Sequence, residues 1–80
     1  MFNTDKEAKN HLKKWFKENG WDGEVVFSAS YGLVTYKGRL AWEFDLIKPC
    51  GVFFVFNDTG DVEDNYGVVA KSQKHPFRRL

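Results

Sequence analysis

Leu40, Trp42, Phe44 and Leu46 alternate with Arg39, Ala41, Glu43 and Asp45. A period of two puts the first four on one face of a strand over about 39–47 and the rest on the other. That apolar face must be covered, and only one segment of the chain has the helical period to cover it. Ala8, Leu12, Trp15 and Phe16 fall at i, i+4, i+7 and i+8, on one side of a helix. Thr4 and Glu7 form a capping box at its start, with Phe2 before the cap, and Asn19-Gly20 supplies the left-handed stop. A helix over about 5–19 is roughly 22 Å long at 1.5 Å per residue, enough for one face of a small sheet.

The rest of the chain reads as strands and turns. Strands are predicted at about 24–30, 33–37, 39–47, 52–57 and 66–70, with Lys37-Gly38 as a tight hairpin turn. Lys48-Pro49-Cys50-Gly51 and Asn57-Asp58-Thr59-Gly60 are further turns. The 52–57 strand is apolar on both sides. Val52, Phe54 and Phe56, or else Phe53 and Val55, face the helix. The expected fold is α+β, a single domain over 1–80. One N-terminal amphipathic helix packs on one face of a four- to five-stranded antiparallel meander, and an irregular basic tail follows over 71–80. Trp15, Phe16, Leu40, Trp42, Phe44 and Phe54 are the expected core.

Several function classes are excluded at this level. A single cysteine, Cys50, allows no intrachain disulfide, which points to a reducing compartment and a cytoplasmic location. The opening residues lack the apolar stretch of a signal peptide. The longest apolar run, Val52 to Phe56, is far short of the ~20 residues that span a bilayer. No paired Cys or His stands at metal-ligand spacing, and the acidic segment after Asn57 does not keep the EF-hand register, so no metal or cofactor is expected. His11 reads as a boundary residue beside Trp15, His75 as part of the tail, and Cys50 as a turn residue without a base. The chain is therefore read as non-enzymatic.

Charge is segregated although the net charge is only +1. Lys6, Lys9, Lys13 and Lys17 form a ridge on the helix, and Lys71, Lys74, Arg78 and Arg79 make the tail basic. Asp58, Asp61, Glu63 and Asp64 make an acidic loop. The aromatic share, 18%, exceeds what one short helix can cover. Surplus rings and separated charge favour docking to a protein. The expected function is a small protein-binding module, a regulator or inhibitor that occludes its partner. Its contacts would be Tyr31, Tyr36 and Tyr66 with the acidic loop and with Glu43 and Asp45 on the outward side of the 39–47 strand. If the partner handles nucleic acid, those carboxylates would imitate phosphates. In size and build the chain is similar to inhibitors made by phages and other mobile elements, including anti-CRISPR-type proteins. The alternative is nucleic-acid binding through the lysine ridge, the basic tail and exposed rings. Self-pairing into a homodimer, through a sheet edge or the open sheet face, is the third expectation.

Overall fold

The computed structural model describes residues 1–64. Helix α1 runs from Asp5 to Glu18. The Thr4 hydroxyl accepts from the Glu7 amide at 3.2 Å, and the Glu7 carboxylate accepts from the Asn3 amide at 2.8 Å. The reciprocal half of the capping box thus reaches one residue beyond Thr4. At the other end Trp21 N–H bonds Phe16 O, Gly20 N–H bonds Lys17 O, and Gly20 takes φ 103°. This is the Schellman stop that Asn19-Gly20 predicts.

Four strands follow among the described residues: β1 (Val26–Tyr36), β2 (Arg39–Lys48), β3 (Gly51–Phe56) and β4 (Val62–Asp64). They form one antiparallel meander in the order β1-β2-β3-β4. The α+β reading is correct, and the sheet differs from it in two places. The expected strands over 24–30 and 33–37 are one strand, β1. Gly32, at φ 79°, does not turn the chain. It sits at a register break in which Ser30 pairs Phe44 and Gly32 pairs Glu43, leaving Tyr31 as the extra residue of a bulge. The second difference is β4, which lies inside the segment that reads as an acidic loop. The expected strand over 66–70 and the tail over 71–80 lie outside the described residues. The Lys37-Gly38 turn has positive φ at both positions, 53° and 76°, as a two-residue hairpin of type I′ requires.

The main core lies between α1 and the sheet. Ala8, Leu12 and Phe16 meet Trp42, Phe44 and Leu46 of β2, Phe53 and Val55 of β3, and Val62 of β4. Register places Trp42, Val55 and Val62 in one row and Phe44 beside Phe53. Phe16 meets Phe53 edge-on at 5.0 Å between centroids. Phe53 and Val55, not Phe54 and Phe56, are therefore the helix-facing set of β3.

Of the expected core residues, Leu40 is corrected, and Phe54 is buried as expected but not under the helix. Leu40 is 53% exposed. It shares the Trp42 side of β2, but it pairs with exposed Thr35 at the hairpin end, where α1 does not cover it. Phe54 is buried, but on the opposite face. There Ala41, Phe54 and Phe56 form a second cluster with Val34, Tyr36 and Val52 around it.

Candidate functional site

The outer face of the sheet was expected to hold the surplus rings, and most of them are satisfied within the chain. Tyr36 lies flat on Phe54, with centroids 3.8 Å apart and planes within 4°. The Arg39 guanidinium sits 3.8 Å over the Phe56 ring. Arg39 also donates to Asp58 at 2.8 Å and to Thr59 at 3.2 Å. The Arg39 hydrogen bond holds the Asp58 carboxyl below its usual range, and the same bond raises Arg39. Burial raises the Tyr36 phenol. These contacts turn the face into a second small core rather than an open apolar patch.

The acidic residues are not gathered into one solvated strip. Asp58 and Asp61 are exposed in the β3–β4 connection, and Asp58 is engaged by Arg39. Glu63 and Asp64 stand in β4 and are buried. Glu63 is 7% exposed and lies 3.2 Å from the Lys37 ammonium; its Oε1 has no hydrogen-bond partner of good geometry. Glu43 and Asp45 are half-buried and point to the outer face, as alternation predicts. Asp45 accepts from the Tyr31 hydroxyl at 2.9 Å, and that bond raises the Tyr31 phenol. Tyr31 is thereby joined to Asp45, Tyr36 belongs to the outer cluster, and Tyr66 lies outside the described residues.

Lys6, Lys13 and Lys17 are exposed on α1, whereas Lys9 is half-buried with its ammonium 5.1 Å over Phe27. The tail cations Lys71, Lys74, Arg78 and Arg79, with His75, lie outside the described residues. Cys50 is exposed. His11 closes the β3–β4 connection: its Nε2 meets Gly60 O at 2.8 Å, and its ring tilts against Phe2 at 5.0 Å. A cavity of about 560 Å³ adjoins this contact, with Trp15, Arg39 and Phe56 among its walls and Lys37, Asp61 and Glu63 at its polar positions. Among the described residues no three His, Cys, Asp or Glu side chains gather as a metal site would need. No helix there is long and apolar enough to cross a membrane.

The sequence points to a sheet edge without saying which strand forms it, and among the described residues β1 is one such edge. Its eleven residues hold neither a charge nor a proline. Among the described residues β1 pairs only with β2, and no strand of theirs lies on its far side. Two of its large side chains are exposed, Tyr31 at 55% and Leu33 at 44%, and exposed Leu40 lies on the neighbouring strand. Edge strands are usually guarded by charges, prolines or short length. The signal was present as an uncharged run from Val25 to Tyr36. Gly32 divides that run in the sequence and reads there as a turn.

No family model matches the chain, and no curated protein or solved structure matches it.

Proposed function

We propose that this chain is a small, non-enzymatic protein-binding module whose working surface is the open edge of β1. The observation that carries the reading is the edge itself: eleven residues, uncharged, with Tyr31 and Leu33 exposed. An extended segment of a partner would add to the sheet there through main-chain hydrogen bonds. Alternate side chains beside the edge would supply specificity. Tyr31 with Asp45 on one face and Leu33 with Leu40 on the other are the contacts such a strand would meet. Seating the whole domain on a partner's segment would occlude it, which suits a regulator or inhibitor. The single cysteine fits work in a reducing, cytoplasmic compartment.

The test is capture of a partner from nuclease-treated lysate by the wild-type chain and by Leu33→Lys/Thr35→Lys. Both positions are exposed, so the fold should persist by circular dichroism. A protein held by the wild type and lost by the double variant supports the reading. Equal capture by both overturns it. The exposed lysines Lys6, Lys13 and Lys17 favour a second reading, nucleic-acid binding along α1. Retention of nucleic acid that falls steeply with salt and with Lys13→Glu/Lys17→Glu would support it.

A further inference from the structure

Asn19-Gly20 closes α1, and it is also the one place in the sequence where a glycine follows an asparagine. Asn3, Asn10, Asn57 and Asn65 precede threonine, histidine, aspartate and tyrosine. The difference matters chemically. A glycine has no Cβ to keep its own amide nitrogen away from the side chain before it. That nitrogen can reach the asparagine Cγ and close a five-membered ring. The stop of this helix is thus built from the pair most open to that reaction.

In the folded chain both reacting groups are engaged. The Asn19 side chain donates from Nδ2 to Trp15 O at 2.8 Å. Its backbone N–H is shared between Trp15 O at 3.0 Å and Phe16 O at 3.1 Å. The Gly20 nitrogen, which would attack, donates to Lys17 O at 3.3 Å, and the Trp21 amide beyond it donates to Phe16 O at 2.9 Å. Ring closure requires the Asn19 side chain to leave Trp15 O and the Gly20 N–H to leave Lys17 O. The last turn of α1 must therefore open first.

We infer that Asn19 is a deamidation site that the end of α1 keeps closed and that reacts when this end opens. The Gly20 amide nitrogen gives up its proton and bonds to Asn19 Cγ. The Cγ–Nδ2 bond breaks, and ammonia leaves with that proton. Water then opens the cyclic imide at either carbonyl, leaving aspartate or isoaspartate. No oxidant or reductant is needed.

Neither product can rebuild the stop. A carboxylate has no donor for Trp15 O, and it brings negative charge to the helix end that the dipole already makes negative. Isoaspartate also adds a carbon to the main chain before Gly20, which displaces the N–H groups of Gly20 and Trp21. Phe16, whose carbonyl Trp21 holds, is the α1 ring that meets Phe53 edge-on in the core. The modification therefore weakens the contact between helix and sheet, and it does so irreversibly.

The experiment is peptide mapping by mass spectrometry of the intact chain, incubated at physiological temperature and pH in buffer and in unfolding urea. In urea Asn19 should be lost well before Asn10 and Asn57. In the folded chain its loss should be at least about tenfold slower, because the cap bonds must open together. Asn19→Asp, which reproduces one product, should lower Tm by about 4–8 °C. Asn10→Asp, the same change of charge at an exposed position within α1, should lower it by less. Equal rates in the folded and unfolded chain, or an Asn19 that survives urea as long as Asn10, overturns the inference. So does an Asn19→Asp chain as stable as the wild type.

Discussion

Replacing Asn57 by alanine should destabilise the fold more than any other change at an exposed or half-buried polar position. Asn57 follows β3 and is half-buried. Its Oδ1 accepts two hydrogen bonds, from the Trp42 indole at 3.0 Å and from the Phe2 amide at 3.0 Å. The first anchors a core ring to the β3–β4 connection, and the second ties the segment before α1 to the sheet. Alanine keeps the Asn57 amide bond to Leu40 O but removes both acceptors. Each hydrogen bond contributes about 1 kcal/mol net, and a buried donor left unpaired costs about 1–3 kcal/mol. Trp42 is 9% exposed, so its indole N–H has little access to replacement water, whereas the part-buried Phe2 amide has more. The expected loss is about 2–3 kcal/mol. For a domain this small that corresponds to a fall in Tm of about 10–20 °C. Urea unfolding followed by dichroism and tryptophan fluorescence measures it, with the slope m unchanged. Asn57→Asp keeps the acceptor oxygen and should retain more than half of the lost stability. Trp42→Phe should cost about 1 kcal/mol less when made on Asn57→Ala, because the shared bond is already gone. A loss below about 0.5 kcal/mol for Asn57→Ala, or an aspartate variant as unstable as the alanine one, would refute the reasoning.

Two further outcomes follow from the same region. Gly60→Ala should cost about 1–3 kcal/mol: Gly60 has φ 81°, where alanine is strained, and the new Cβ would lie 3.1 Å from His11 Nε2. Equal stability of the variant and the wild type in urea would show that the connection yields freely. Asp58 should titrate below 3.8 by NMR, because Arg39 donates to its ionised form. A carboxyl depressed on folding adds stability above its unfolded value, lost as pH falls through the lower folded one. Arg39→Ala should return Asp58 toward 3.8, and an unmoved titration would count against the pair.

The parts of this fold that were legible in the sequence are local. The Thr4–Glu7 cap, the stripe from Ala8 to Phe16, the Gly20 stop and the Lys37-Gly38 turn each depend on residues within one or two turns of chain. Alternation in β2 was legible for the same reason, because it records a face that one layer must cover. It overreached at Leu40, since periodicity reports which face a side chain takes and not how far the covering helix extends. Gly32 was misread because a positive φ serves a turn and a bulge equally well. Only the partner strand decides between them. Of the expected site, Tyr31 and Asp45 meet. Glu63 and Asp64 do not remain in a loop, because β3 recruits them as β4.

What the sequence determined by itself is therefore the inventory: one amphipathic helix, then strands apolar enough to need two layers of cover. Tertiary structure decided how that inventory is spent. It put Phe53 and Val55 under the helix, stacked Tyr36 on Phe54 and Arg39 on Phe56, and, among the described residues, gave β1 a neighbour on one side only. The reason is physical. Secondary structure follows from short-range sterics and hydrogen bonds that each segment carries with it. Which ring meets which cation, and which strand is left without a neighbour, depends on contacts between residues far apart in the chain. Those contacts exist only once the sheet has closed.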